Sequence, residues 1–175
     1  LEMQDGRTLD FDHVVLGAHA DEAYQLLAQP SVEERRNLSP WRYQPNEVVL
    51  HSDASQLPLD SKLWASWNFV RDQGDADTRP VAVSYYMNRL QNLHTHAPYI
   101  VTLNPSKPID ASKVINATTL MHPLYSQASL ETQPRLRAMN GQNNTWFCGS
   151  YFGYGFHEDA VQSAVEVAAG FGISL

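Results

Sequence analysis

The first apolar run of the chain is followed by small residues and then by a helical pattern. His13-Val14-Val15-Leu16 is continuously apolar after its histidine, which predicts a buried strand of the parallel type. Gly17-Ala18 then forms a turn, and the next residues predict a short helix that buries Ala23, Leu26 and Leu27. Residues 11–27 are therefore predicted to form an α/β unit.

A second helix is predicted over Val32–Leu38. Ser31 stands at its N-cap and Glu34 follows three residues later, which is the capping-box pattern. The helix is predicted to stop before Pro40, since proline disfavours helical conformation in the residue that precedes it.

Residues 41–119 are rich in β-formers and are predicted to form an antiparallel sheet. Trp64, Ser66 and Asn68 alternate with Ala65, Trp67 and Phe69, a pattern that predicts aromatic side chains buried on one or both sheet faces. Polar turns such as Asp72–Asp75 separate the segments. The predicted strands are Glu47–Ser52, Leu63–Val70, Pro80–Met87, Tyr99–Leu103 and Val114–Leu120.

The chain then becomes helical again. Ala128–Met139 is predicted to be one helix whose apolar residues are Leu130, Leu136 and Met139. A buried strand, Thr145–Cys148, follows it, with Cys148 as inert packing.

Glycines interrupt the sequence after this strand, at Gly149, Gly153 and Gly155. A final helix begins near His157, with Val161, Val165 and Ala168 at helical spacing, and Glu158 and Asp159 in the first turn suit the helix dipole. A glycine-rich loop before a helix allows close approach of a ligand, and free helix amides bind acceptor atoms. The alternative is a strand-to-helix turn whose glycines serve backbone angles only.

Composition narrows the classes of partner. The 12 basic and 19 acidic residues give a net charge of −7, and the sequence has no basic run, so nucleic acid and anionic membranes are not expected partners. The single cysteine excludes an internal disulfide framework and fits a reducing compartment. We find no signal peptide and no apolar run near the roughly 18 residues of a membrane span. A cytoplasmic location is expected.

The first residues predict a hairpin turn at Asp5-Gly6. The strand before this turn is short and the sequence opens with Leu1, so we interpret the chain as the C-terminal portion of a longer protein. Apolar surface exposed by truncation would favour a homo-oligomer.

Two segments of the chain read FDHVVLGAHADEAYQLL and NTWFCGSYFGYGFHEDAVQSAVEVA. They closely resemble the C-terminal half of flavin-containing amine-oxidase-like FAD-dependent oxidoreductases, in particular a bacterial branch of predicted NAD/FAD-binding proteins. The segments YQPNEVVLHSDASQLP, WASWNF and YYMNRLQNL are similar to the same branch. The resemblance implies an α+β fold, in which an antiparallel substrate-domain sheet is inserted between α/β pieces of an incomplete FAD-binding Rossmann-type domain. The implied parts are residues 1–39 and 123–175 for the FAD-binding domain and 40–122 for the sheet.

The resemblance also implies FAD as cofactor, although the GxGxxG loop that grips its ADP portion is not present in these residues. Gly149 and Ser150 would lie near the pyrophosphate or ribityl chain, and the amides of residues 157–160 would face the pyrimidine edge of the flavin. Many members carry an acidic residue where Ser150 stands, so a carboxylate contact is not expected there. The predicted cofactor-binding residues are Gly149, Ser150, Gly155, Phe156, His157, Glu158, Asp159 and Ala160.

The expected substrate is a small or lipid-like molecule that is oxidised by hydride transfer to the flavin. Its cavity would combine aromatic walls with a few polar groups, and the predicted substrate-binding residues are Trp67, Asn68, Tyr86, Asn88 and Arg89. The alternative is a packed sheet core with an arginine at its rim.

Two other functions stay open. The chain could be a non-catalytic folded module that holds no FAD, or a metal-dependent hydrolase that uses its histidines. Consecutive residues at a helix start diverge around the axis, so His157-Glu158-Asp159 is predicted to cap the helix instead of sharing a metal. His94 and His96 have no third ligand nearby in the sequence and are predicted to be surface residues, while His122 is predicted to be structural.

Overall fold

The computed structural model describes residues 1–69 and 82–174. The chain divides into two units, Leu1–Tyr43 with Pro123–Leu175 (unit 1) and Gln44–His122 (unit 2). The elements, in chain order, are β1 (Val14–Leu16), α1 (Ala20–Leu26), α2 (Val32–Leu38), β2 (Arg42–His51), β3 (Trp67–Phe69), β4 (Val83–Tyr86), α3 (Met87–Leu90), β5 (Ile100–Leu103), β6 (Val114–Leu124), α4 (Gln127–Leu130), α5 (Gln133–Met139), β7 (Thr145–Phe147) and α6 (His157–Gly170). No helix in the described ranges is long and apolar enough to cross a membrane.

Unit 1 is built on a parallel pair of strands, β1 and β7, with Val15 opposite Trp146. Trp41 lies in its core, where the indole Nε1 donates a hydrogen bond to Thr132 Oγ1 at 3.0 Å. This bond satisfies a polar atom that would otherwise be buried without a partner. The core consists of Ala20, Ala23, Leu38, Trp41, Leu136, Met139, Phe147, Tyr151 and Phe152.

The start of α2 has the predicted capping box. The amide of Glu34 donates to Ser31 Oγ at 3.2 Å, and the carboxylate of Glu34 accepts the amide of Ser31 at 2.7 Å. Two amides that lack helical partners are thereby satisfied, which confirms the predicted start of this helix.

Unit 2 contains a five-stranded sheet in the order β3-β4-β5-β2-β6, with antiparallel pairing of β3 with β4, β4 with β5, and β5 with β2. The α+β fold class and the antiparallel sheet are confirmed. The bounds differ from prediction, since β2 begins at Arg42 and β6 continues to Leu124. The strand predicted from Leu63 begins only at Trp67, because Ser61–Leu63 forms a 3₁₀ turn. Val70, Pro80 and the turn Asp72–Asp75 lie outside the described residues.

The sequence overestimated the burial of the first α/β unit. Val15, at the centre of β1, is 47% exposed. The sheet has only two strands in the described part of the chain, and one of its faces is not covered there. Leu26 is 66% exposed, whereas Ala20, Ala23 and Leu27 contact the core. These three follow the i, i+3, i+7 spacing of one helix face, and Leu26 lies beside that face.

The aromatic residues of β3 are exposed, although the sequence pattern predicted that they would be buried. Trp67 is 61% and Phe69 54% exposed, while Asn68 between them is buried. The side-chain amide of Asn68 accepts a hydrogen bond from the backbone N–H of Ala65 and donates to the carbonyls of Ala65 and Ser84. Because side chains alternate across a strand, burying this asparagine turns both aromatics outward.

The single helix predicted over Ala128–Met139 is two helices, α4 and α5. Pro134 occupies the first turn of α5, a position where its missing amide hydrogen has no cost, whereas inside one continuous helix it would break the hydrogen-bond ladder. The interruption changes which face is buried: Leu136 and Met139 are in the core and Leu130 is 39% exposed.

The N-terminal hairpin has a longer loop than the Asp5-Gly6 turn predicts. The amide of Met3 donates to Arg7 O at 2.8 Å and that of Gly6 donates to Met3 O at 2.9 Å. Gly6 has φ +81°, so the loop is the three-residue form that ends in a left-handed glycine, not the two-residue form.

The difference between Leu136 and Leu130 can be tested by two identical substitutions. We expect Leu136→Ala to lower the free energy of unfolding by roughly 2–5 kcal/mol, because its side chain is fully buried. Leu130→Ala should change it by less than about 0.5 kcal/mol, since that side chain is partly in solvent. Urea denaturation of both variants measures this, and equal losses would contradict the placement of α4 and α5.

Candidate cofactor site

The glycine-rich segment connects β7 to α6 in unit 1. Cys148 follows the end of β7 instead of lying inside the strand, and its amide donates to Leu16 O at 3.1 Å. The thiol is half-buried, and burial raises its pKa. The buried face of α6 carries Ser163 and Val167, whereas the predicted stripe began at Val161, which is 52% exposed.

The three glycines of the loop are explained by contacts inside the protein. A Cβ on Gly149 would lie 2.6 Å from the Tyr151 ring, and one on Gly153 would overlap the carboxylate of Asp159. Gly155 has φ +93°, and a Cβ there would lie 2.8 Å from the Tyr125 hydroxyl. Close packing and backbone angle therefore account for glycine at all three positions, as in the alternative that the sequence left open.

Asp159 closes the loop onto the start of α6. Its Oδ2 accepts the amides of Tyr154 and Phe156, both at 2.9 Å. A carboxylate at this position also suits the positive end of the helix dipole. Asp159 therefore has the capping role that the sequence predicted for the start of the helix.

Ser163 connects the beginning of the loop to the second turn of α6. Its hydroxyl accepts the amide of Gly149 at 2.9 Å and lies 2.7 Å from the carbonyl of Ala160, to which it donates. Ser163 is 1% exposed and Gly149 is half-buried, so without this hydroxyl the Gly149 amide would lose its partner where access to water is restricted.

Helix α5 holds the carbonyl groups of the same loop. Gln133 Nε2 donates to the carbonyls of Tyr151 at 3.1 Å and Gly153 at 2.6 Å, and Arg137 Nη2 donates to that of Phe152 at 2.9 Å. Sequence reasoning missed both residues. Their i, i+4 spacing, which puts two long polar side chains on one face of α5, was the available signal.

The helix start retains part of its predicted donor capacity. Of the four amides expected to face the cofactor, those of Asp159 and Ala160 donate to Phe156 O at 3.1 and 3.3 Å. The amides of His157 and Glu158 have no acceptor within the described residues. Their side chains and that of Phe156 are exposed, and Ser150 is half-buried. Two backbone donors at the start of a 14-residue helix thus remain available.

The core beneath the loop contains a group of tyrosines. The Tyr43 hydroxyl accepts the amide of Ala20 at 3.1 Å, and burial raises the pKa of Tyr43 to about 12. Burial also raises the pKa of Tyr151, whose hydroxyl has no hydrogen-bond partner in the described part of the chain. The indole nitrogen of Trp146 is also buried without a hydrogen-bond partner among the described residues. Both tyrosines are therefore neutral at physiological pH.

The predicted substrate-binding residues lie in unit 2. The side-chain amide of Asn88 accepts the N–H of Tyr99 at 2.7 Å and donates to Ala97 O at 2.8 Å. Arg89 Nη1 donates to the carbonyl of Trp64 at 2.8 Å, and the Tyr86 ring packs edge-to-face on the Trp64 ring at 5.1 Å. With Asn68 bonded as described above, both asparagines hold the backbone, and Trp67 stands in solvent.

The candidate metal-binding histidines lie in different settings. His94 and His96 are exposed, and His122 Nδ1 is 3.3 Å from the carbonyl of Leu120. Among the described residues, no three histidine, cysteine, aspartate or glutamate side chains are placed to share a metal ion.

The comparisons with known proteins bear on the fold alone. No protein-family profile matches the chain, and no curated protein matches it significantly. The chain is similar to a solved structure described as a CLA-producing fatty acid isomerase from P. acnes, with 16% sequence identity and a TM-score of 0.59. The likeness covers 93% of this chain and 42% of the isomerase chain. The chain thus shares a fold with less than half of that enzyme.

The connection made by Ser163 can be tested by Ser163→Ala. We expect a loss of roughly 1–3 kcal/mol in unfolding free energy, because the half-buried amide of Gly149 loses its acceptor. Hydrogen exchange of that amide should accelerate beyond the change in global stability. Gln162→Ala is the matched control, since in the described part of the chain its side chain bonds only to the exposed Glu158. Unchanged Gly149 exchange in Ser163→Ala would contradict the assigned bond.

Proposed function

We propose that this chain is the C-terminal portion of an FAD-dependent oxidoreductase of the amine-oxidase-like type, which oxidises a small or lipid-like substrate by hydride transfer to flavin. The sequence resemblance supplies the activity class. The fold shared with a fatty acid isomerase agrees with an enzyme of this architecture. The single observation on which we rest the proposal is the start of α6, where a tightly held loop presents two amides that have no acceptor among the described residues.

These amides fit an electron-rich cofactor. The donors of His157 and Glu158 stand at the positive end of a 14-residue helix, and such an end stabilises anionic or acceptor atoms. The loop before them is fixed by Asp159, Ser163, Gln133 and Arg137, so little ordering entropy would be lost when a ligand binds.

In this proposal each part of the chain has a limited role. FAD, when bound, would supply the redox chemistry. The amides of His157 and Glu158 would hold acceptor atoms of the cofactor, with Gly149 and Ser150 lining its chain, as the resemblance implies. The exposed side chains of Phe156 and His157 would cover it from water. In unit 2, Trp67 and Tyr86 remain the proposed substrate contacts, because the amide groups of Asn68 and Asn88 are already used.

A second function, a folded module that holds no FAD, is favoured by one observation. Every glycine of the loop is explained by an internal contact with Tyr151, Asp159 or Tyr125, so no glycine is left whose only purpose would be ligand approach. The two functions differ in whether the chain retains flavin.

Flavin retention can be tested together with the role of one amide. After incubation with FAD and gel filtration, the chain should retain an absorption band near roughly 450 nm, as expected of an oxidised flavin. His157→Pro removes the amide hydrogen at the first helical position, where proline is well tolerated. Phe156 before it already has φ −84° and ψ 159°, which proline permits. We expect about tenfold weaker FAD binding in this variant.

His157→Ala is the matched control, since it removes the side chain and keeps the amide. It should bind FAD like the unaltered chain in the same titration. If the unaltered chain retains no flavin, the module without FAD is the better description. If His157→Pro and His157→Ala bind equally well, the helix amide has no part in the site.

We also propose that unit 1 self-associates through apolar surface near β1. Val15 and Phe11 are 47% and 60% exposed. Such exposure is unusual for apolar residues in a parallel strand and in the segment that leads into it. Light scattering should show a mass that rises with concentration, and Val15→Lys should reduce this rise. Val32→Lys, at a position 79% exposed on α2, is the control. A monomer mass at every concentration would refute the proposal.

A further inference from the structure

Unit 2 contains a cavity of about 250 Å³ that the proposed flavin chemistry does not use. Its lining includes Ser84 on β4, Thr102 on β5, and Leu57, Pro58 and Ala82 from the adjoining segments. Ligand pockets commonly measure roughly 300–1,000 Å³. A cavity just below this range suits a molecule of metabolite size.

A row of buried polar side chains ends at this cavity. His51 Nε2 lies 2.8 Å from Thr102 Oγ1, which lies 2.8 Å from Ser84 Oγ. On the far side of the ring, the amide of Asp53 donates to His51 Nδ1 at 3.1 Å. His51, Thr102 and Ser84 are 0%, 1% and 4% exposed, so these side chains have little contact with bulk water.

The amide of Asp53 fixes the protonation of the histidine. Nδ1 accepts a hydrogen bond and therefore carries no proton. Burial lowers the pKa of His51, so the ring is neutral at physiological pH. Its one proton is on Nε2, which donates to Thr102 Oγ1.

Counting hydrogens then leaves one without an acceptor. His51 Nε2, Thr102 and Ser84 supply three hydrogens, but only two bonds join them. If Thr102 donates to Ser84, the hydroxyl hydrogen of Ser84 is left over; if Ser84 donates, that of Thr102 is left over. Among the described residues neither hydroxyl has a further hydrogen-bond partner, and both residues line the cavity.

The same geometry excludes nucleophilic catalysis by this serine. A hydroxyl becomes a nucleophile when a neighbouring base takes its proton. Here Nε2 already carries a proton and Nδ1 is occupied by the Asp53 amide, so His51 cannot accept another proton without losing that bond. The row is suited to donating a hydrogen bond and not to removing a proton.

The support of the row is itself rigid. The carboxylate of Asp53 accepts the amides of Ser55 at 3.1 Å and Asp110 at 3.0 Å, and it lies 3.5 Å from the ammonium group of Lys113. The hydrogen bond from Asp110 is the main cause that lowers the pKa of Asp53 to about 2. Asp53 therefore stays ionised, and its own amide is held against His51.

We propose that this cavity binds a small ligand through a carbonyl or carboxylate oxygen, which accepts the spare hydroxyl hydrogen of Ser84 and Thr102. The apolar wall of Leu57, Pro58 and Ala82 would receive a short hydrocarbon group attached to that oxygen-bearing carbon. Lys107 also lines the cavity. The site belongs to unit 2 and is independent of flavin binding.

The test uses butyrate, butanone and butylammonium as probes in a nuclear magnetic resonance titration of the amide signals. Butyrate and butanone carry an acceptor oxygen, whereas butylammonium carries only donors. We expect one or both oxygen compounds to shift the amides of Ser55, Ser84 and Thr102, and butylammonium to leave them unchanged. Tighter binding of butyrate would assign a carboxylate ligand, and tighter binding of butanone a neutral carbonyl.

Two variants of equal shape isolate the hydroxyl. Ser84→Thr keeps it and Ser84→Val replaces it by a methyl group, and both residues suit a strand. We expect Ser84→Thr to bind the probe, with any loss of affinity due to its added methyl group. Ser84→Val carries the same added bulk without the hydroxyl and should bind the probe about tenfold more weakly than Ser84→Thr. The dispersion of the amide spectrum verifies that each variant is folded. Equal affinity of the two folded variants, or no shift in the unaltered chain up to the solubility of the probes, would overturn the proposal.

Discussion

The backbone of residues 149–156 forms one 3₁₀ turn at Ser150–Phe152, and the order of unit 1 depends on how the remaining polar groups of this loop are satisfied. Side chains from two helices supply the missing bonds. Asp159 and Ser163 on α6 accept amides, and Gln133 and Arg137 on α5 donate to carbonyls. A buried backbone group left unpaired costs roughly as much as a lost hydrogen bond. The loop is consequently fixed in place, and only donors at its outer end are spare.

The sequence predicted the existence of most elements, because strong local signals specify them. The capping box of Ser31 and Glu34 fixed the start of α2, and the β-rich middle of the chain gave the antiparallel sheet. The misses share a cause, which is that a local pattern does not say which face a neighbour covers. Asn68 is buried because three backbone groups lie within reach of its amide, and no periodicity in the chain reports those groups.

The candidate site was predictable only in outline. A helix preceded by glycines was evident from the sequence, and the acidic residues of its first turn indicated a cap. The partners that decide its chemistry were not evident, because Gln133 precedes the carbonyls it holds by about twenty positions. The role of the glycines was equally hidden. A position that must be glycine because Tyr151 or Asp159 packs against it looks the same in the sequence as one that must be glycine because a ligand does.

In both units a ligand is suggested by hydrogen-bond donors that have no acceptor among the described residues, but the donors are different groups. In unit 1 the surplus donors are backbone amides at a helix start, which any acceptor can reach and which therefore give little selectivity. In unit 2 the surplus is a single hydroxyl hydrogen, whose presence follows from the tautomer that Asp53 imposes on His51. That hydrogen can be satisfied only by an acceptor atom, so a ligand without one would leave it buried and unpaired. Selectivity in unit 2 thus originates in a backbone amide that never touches the ligand.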